Sequence, residues 1–279
     1  MKTVWFIRHS ESIANIGAVT HHHETIPLSE WGAQQAQRVS QKFHRQPDLI
    51  ICSPFLRARQ TAEPTINRFP GVRREIWPVE EFTYLSPASC VGTTAADRWE
   101  RVNQYWKQCD PDYIDSEGAE SFRQFMCRAQ ATINRLENLE EDIFVVVFSH
   151  AQFMRAVRFL RENGNLDIHE IMKQYNDLPR VRNAEIFCFS GQAPETDLED
   201  NLPGYLQRDI DALMEGEKNH STLLDCLWGE VYSSINCAEV DLAITQEQAA
   251  YLRKKYLYGD GLEKQKEMIN AIVLFGQEG

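Results

Sequence analysis

The sequence predicts an α/β fold: a mainly parallel, doubly wound sheet flanked by helices, with a C-terminal all-helical extension. Three observations predict it. Strand-like and helix-like segments alternate through the first two thirds of the chain, which is the order that βα units produce. The runs at 4–7, 49–52 and 143–148 are uninterruptedly apolar, as strands covered on both faces must be. After residue 189 that pattern stops, and Leu223, Leu224, Leu227, Trp228, Val231 and Ile235 form one helical stripe.

Taken in order, residues 2–7 read as a strand. Ser29, after Pro27 and Leu28, is the expected N-cap of a helix over 30–43. Residues 48–52 read as a second buried strand. Ser53 and Pro54 then open a helix towards Ile66, which Pro64 is expected to bend or shorten. A third strand is expected over 75–82. The stretch 84–118 holds Pro87, Gly92, Pro111 and Gly118 around one helical run near 96–107. It reads as an excursion over the sheet whose aromatics mostly pack the excursion itself. Phe122, Phe125, Met126, Ala129, Ile133 and Leu136 recur at helical spacing, which predicts a long helix over 120–139. The strand at 143–148 runs into Ser149 and His150 and then a helix over 153–160. A helix over 167–175 and a last strand over 184–189 follow. The expected organisation is a catalytic domain over 1–192, an acidic linker region over 193–220 and a helical extension over 221–279. Within the linker region, the stretch up to Gly204 is polar, acidic and marked by Pro194 and Pro203. Thr245 and Gln248 form a capping-box pattern for a helix to about Tyr256. Gly259 and Gly261 break it before a final helix over 262–275.

The 279 residues are 43% hydrophobic and 25% charged, a balance that lets a sizeable core form. No apolar stretch approaches the ~20 residues of a membrane helix, and the N-terminal apolar run is too short for a signal peptide. Seven cysteines, without a Cys-x-x-Cys pair, fit reduced thiols in a cytoplasmic protein. The net charge of −12 is uneven: residues 195–279 carry 17 acidic and 7 basic side chains, which leaves the rest nearly neutral. This argues against a general nucleic-acid surface, which is normally basic, and nucleic acid is not expected as a partner; a local basic pocket is not excluded. Protein contact through the C-terminal helices fits the acidic extension better than an anionic ligand does.

Arg8 and His9 end the first strand, and His150 ends the strongest one. In open α/β sheets ligands bind outside the carboxyl ends of the strands. Arg57 follows the second strand, so the two arginines and two histidines can converge over one sheet edge. A guanidinium grips two phosphate oxygens, and an imidazole can attack phosphorus. A phosphate monoester carries about −1.5 to −2 charges, which two arginines and a second histidine can neutralise.

These residues sit in a series of ordered motifs. Arg8-His9-Ser10-Glu11-Ser12 is followed by Asn15, then Pro27-Leu28-Ser29 with Gly32, Gln35 and Ala36. Ser53-Pro54-Phe55-Leu56-Arg57-Ala58-Arg59-Gln60-Thr61-Ala62 comes next, then Glu120-Ser121 with Arg128, and Phe148-Ser149-His150. The series resembles the histidine phosphatase superfamily, of phosphoglycerate-mutase-like fold, over about residues 1–190. The resemblance implies that His9 is the phosphorylated nucleophile. Arg8, Arg57 and His150 would complete the phosphate pocket, and Asn15 would donate to a phosphate oxygen. The family branch with an aspartate after the second histidine is excluded by Ala151. The other branch places a glutamate after the third strand, which makes Glu81 the expected general acid and base, with Glu80 the neighbouring alternative. Ser10 and Ala151 stand where the family usually has glycine.

The expected function is hydrolysis of phosphomonoesters through phosphohistidine, with no cofactor or metal. The partner is a small phosphorylated substrate or phosphoprotein; membranes are not expected as partners. The alternatives are a phosphoglycerate-mutase-like phosphotransferase and a weakly catalytic phosphate-binding regulatory module. The mutases' Glu-Arg-His-Tyr-Gly stretch is here Glu81-Phe82-Thr83-Tyr84-Leu85, which argues against the first. His21-His22-His23 could bind a metal by composition, but reads as an exposed loop beside the substrate entrance.

Overall fold

Five strands form one sheet in the order β3-β2-β4-β1-β5 in the computed structural model, which describes residues 1–163, 166–193 and 198–258. They are β1 Thr3–Arg8, β2 Leu49–Cys52, β3 Arg73–Ile76, β4 Phe144–Ser149 and β5 Ile186–Ser190. All neighbours pair parallel except β5, which runs antiparallel to β1. The apolar runs explain the centre of the sheet. Alternate side chains of β1, β2 and β4 enter two separate cores. Val4, Phe6, Leu49, Ile51, Val145 and Val147 face one side. Trp5, Ile7, Ile50, Cys52, Val146 and Phe148 face the other. A strand with no solvent face has no polar position, hence the unbroken pattern.

The helices α1 Glu30–Gln41 and α2 Leu56–Arg68 contribute Val39 and Ala62 to the second core. The short α3 Pro87–Cys90 and α4 Trp99–Gln108 lie in the excursion, before α5 Phe122–Glu137, α6 Ala151–Asn163 and α7 Ile168–Tyr175. Side chains of α5, α6 and α7 fill the first core. Ser29 caps α1 by accepting from the Gly32 N–H at 2.9 Å. Ser121 and Gln124 form a complete capping box on α5. Most excursion aromatics pack as expected: Tyr105 is buried, and Trp106 stacks on Tyr175. Trp99 stays exposed.

Several bounds differ from expectation. Helix α2 starts at Leu56, because Phe55 keeps extended backbone, and it continues past Pro64 to Arg68. Strand β3 ends at Ile76 rather than continuing to residue 82. Pro78 has no N–H for the ladder, and Trp77 and Val79 turn into the core. Strand β5 starts at Ile186 because Ala184 has φ 57°, a left-handed turn conformation that no strand accommodates.

The chain divides into two compact units after residue 195. The second contains α8 Gly204–Lys218, α9 Leu224–Val240, α10 Gln246–Leu252 and a π-helical turn, Arg253–Tyr258. Much of the stretch 193–220, expected as linker, is therefore helix. Leu206, Ile210 and Leu213 form the buried stripe of α8. Its acidic composition disguised that stripe, because the charges occupy the other positions of the same turns. The stripe expected at 223–235 is buried at Val231 and Ile235, whereas Leu223 is 60% exposed. The capping box of Thr245 and Gln248 is formed on α10. The expected break at Gly259 and Gly261 and the helix over 262–275 lie outside the described residues. No helix among the described residues is long and apolar enough to cross a membrane.

Candidate active site

Parallel register brings the strand ends together. Arg8 pairs with Ser149, and Cys52 pairs with Phe148, so His9, Ser53 and His150 leave the sheet on one edge. The rings of His9 and His150 lie 5.1 Å apart.

His9 is buried, and its Nδ1 lies 2.7 Å from the Ser10 carbonyl oxygen. A carbonyl only accepts, so Nδ1 carries the proton and Nε2 has the free lone pair. Arg57 Nε donates to that Nε2 at 3.2 Å. Burial first, then Arg57 and Arg8, hold the His9 pKa well below its ordinary 6.5. The ring is therefore neutral at neutral pH, with Nε2 unprotonated.

Arg57 stands in the first turn of α2, with Nη1 donating to the His23 carbonyl at 2.8 Å. Burial lowers its pKa to about 10, which still leaves it charged at neutral pH. Arg8 donates through Nη1 to the Val181 carbonyl at 2.7 Å. His150 Nε2 lies 2.8 Å from Ser53 Oγ. Burial, then Arg57 and His9, push its pKa well down too. Arg8 Nε, His150 Nδ1 and Ser10 Oγ are buried with no protein partner. Each such group costs about 1–3 kcal/mol if left unpaired. A guanidinium N–H and a hydroxyl are both able to donate to an anion's oxygens.

Backbone bonds hold the parts in register. The Ser10 N–H donates to Thr61 Oγ1 at 2.9 Å, and Thr61 Oγ1 donates to the Arg57 carbonyl at 2.7 Å. Thr61 thus ties the histidine segment to the turn carrying Arg57. Asn183 Nδ2 reaches the His9 carbonyl at 3.1 Å and Asn15 Oδ1 at 3.3 Å. Asn15 Oδ1 also accepts from Ser12 N and Oγ, both at 2.9 Å, so Nδ2 is left as its donor. Gln35 and Gln60 accept from the Glu11 and Leu28 N–H groups. Gly32 is required by close approach, since a Cβ there would lie 1.9 Å from the Glu11 carbonyl oxygen.

Glu81 Oε1 accepts from the Gln152 N–H at 2.9 Å, in the first turn of α6, and from the Phe82 N–H at 3.2 Å. With Arg57, Glu81 lines a cavity of about 210 Å³. Glu80 Oε1 lies 3.8 Å from Arg128 Nη1, and its Oε2 is buried with no protein partner. Arg128 donates to the Pro78 and Glu80 carbonyls and pairs with Glu120, which also accepts from the Thr83 N–H. Glu120 and Arg128 therefore brace the loop that presents Glu81.

The histidine tract divides. His21 and His22 are exposed, while the half-buried His23 lines the cavity and packs on Phe55. Among the described residues, no three or more His, Cys, Asp and Glu side chains are grouped as metal ligands. Sequence reasoning gave no role to Thr61, Ser53, Gln152 or Asn183. Thr61 lies one helical turn after Arg57 and Ser53 directly follows a buried strand, so both carried a signal. Asn183 carried none.

The family profile of the histidine phosphatase superfamily (branch 1) matches residues 4–176. An adenosylcobalamin/alpha-ribazole phosphatase of Escherichia coli (strain K12) is 40% identical over 65 residues, spanning 23% of this chain and only 32% of that protein. The protein so named in Salmonella typhimurium is 37% identical over 153 residues, covering 53% of this chain and 73% of its own length. The crystal structure of the alpha-ribazole phosphatase from Shigella flexneri shares the fold, with TM-score 0.52 and 24% identity over 66% of this chain and 88% of that one.

Proposed function

Since the chain belongs to the histidine phosphatase superfamily, branch 1, we propose that it hydrolyses phosphomonoesters through a phosphohistidine on His9. The observation that carries this reading is the pairing of His9 and Arg57. The unprotonated Nε2 faces a buried guanidinium, amid buried donors that have no protein partner.

In the first step His9 Nε2 attacks phosphorus and the ester P–O bond breaks. Glu81 enters protonated on Oε2, since Oε1 is engaged by two N–H groups, and gives its proton to the leaving alkoxide. Arg8, Arg57 and His150 stabilise the charge that spreads over the equatorial oxygens, and Asn15 donates to one of them. In the second step the Glu81 carboxylate takes a proton from water, which attacks the phosphohistidine. The P–N bond breaks and inorganic phosphate leaves. The scheme uses no metal and no cofactor, and its substrate is a small phosphate ester or a phosphoprotein. No charged group of the pocket is missing, which weighs against a merely phosphate-binding module. The stretch after Glu81 lacks the mutase pattern.

The test is hydrolysis of an aryl phosphate in the presence of chelator, beside a His9→Ala variant. Chelator-resistant turnover, lost in the variant, with acid-labile phosphate trapped on the wild type, supports the reading. Absence of both turnover and phosphohistidine across a panel of phosphometabolites would overturn it.

A further inference from the structure

The cavity that Arg57 and Glu81 line has further lining residues that the proposed chemistry does not use. Ile26, Phe55, Phe82, Leu85 and Val102 make much of the lining apolar, and Arg98 adds a second guanidinium to it. Arg98 is half-buried, and its Nη1 is fixed from two loops. It donates to Thr93 Oγ1 at 2.7 Å, to the Thr93 carbonyl at 2.9 Å and to Thr20 Oγ1 at 3.5 Å. These acceptors are all neutral. The adjacent Asp97 turns its Oδ2 to Thr94 N and Oγ1, both at 2.8 Å. Among the described residues, no ion pair joins Arg98 to a carboxylate. Asp97 feels the Arg98 charge, but its carboxylate bonds to Thr94 and forms no ion pair with the guanidinium, so a positioned guanidinium on the cavity lining is left able to bind an anion on a ligand. Tyr84 adds to the wall. Burial, then Glu81, pushes its phenol up to about 12 against the opposing pull of Arg98, so it remains a neutral donor.

We propose that Arg98 determines specificity by binding a second anionic group, a carboxylate or a second phosphate, on phosphate esters whose first phosphate sits at His9 and Arg57. An apolar or ring-bearing body would span the lining between them. This rests on the phosphatase reading for the first phosphate.

The probes are phosphonates, which cannot be hydrolysed, carrying a carboxylate on spacers of increasing length, each beside its neutral carboxamide isostere. A parallel set carries a second phosphonate. Binding is measured by calorimetry on the full chain. The expected result is one spacer length at which the anionic probe binds about 10-fold or more tighter than the amide. Arg98→Gln should bring that ratio close to one and Arg98→Lys should retain part of it. Because the reading is a ratio within each protein, any general change from losing the Thr20 and Thr93 bonds cancels. Equal affinities at every length in the wild type, or a ratio that survives Arg98→Gln, would overturn the proposal. Turnover of aryl phosphates with no such ratio would remove Arg98 and leave the phosphatase. The ratio without any turnover or phosphohistidine would do the reverse.

Discussion

Arg57 Nε donates to His9 Nε2 across 3.2 Å, although 48 positions separate the two residues. The same nitrogen is the proposed attacking atom. The guanidinium therefore marks where phosphorus must arrive, and it must pass its hydrogen bond to a phosphate oxygen as substrate binds. Arg57→Lys should lower kcat/KM by about 10²-fold or more, because an ammonium cannot reproduce the planar fork. Steady-state kinetics on an aryl phosphate reads this.

Glu81 and Glu80 should separate by leaving group. Glu81→Gln is expected to lower kcat by about 10²–10⁴-fold on alkyl phosphates, and by much less on esters whose leaving group needs no proton. Glu80→Gln should change kcat little on either. A comparison of kcat on nitrophenyl and alkyl phosphates decides between them.

The two histidines predict a pH dependence of stability. Both have folded pKa values well below the ordinary 6.5. Between the folded and unfolded values the unfolded chain binds more protons, so stability rises with pH there. Their contribution is complete above about 6.5 and is lost as pH falls towards the folded values. Tm should fall on acidification through this window, and His150→Gln should flatten part of the slope. Thermal unfolding at a series of pH values measures both.

Thr61→Val preserves shape but removes the acceptor of the buried Ser10 N–H. The expected loss is about 1–3 kcal/mol of stability, together with a fall in kcat as the His9 segment loses its tie to α2. Denaturant unfolding and kinetics on the same preparation test the pair of effects.

Gly32→Ala places a methyl group against the Glu11 backbone. Backbone yields less readily than a side chain, so about 2–3 kcal/mol of destabilisation is expected, a drop of ~4–12 °C in Tm. Calorimetric unfolding checks it.

The sequence by itself determined the alternation of strands and helices, the burial of β1, β2 and β4 on both faces, and the placing of Arg8, His9 and His150 at strand ends. Each depends on side-chain periodicity and on the residues next to a strand terminus, which are local properties. The histidine phosphatase resemblance added the order of the motifs. The acidic α8 was missed because composition outweighed the spacing of Leu206, Ile210 and Leu213.

Only the tertiary structure decided the rest. The His9 tautomer depends on which atom meets the Ser10 carbonyl. The separation of Glu81 from Glu80 depends on how Arg128 and the start of α6 divide a loop between them. Asn183 reaches His9 because β5 lies antiparallel beside β1. Arg98 meets Thr20 because two loops close over one cavity. Such partners are set by sheet order and loop path, and no period in the sequence encodes the distance between residues that far apart along the chain.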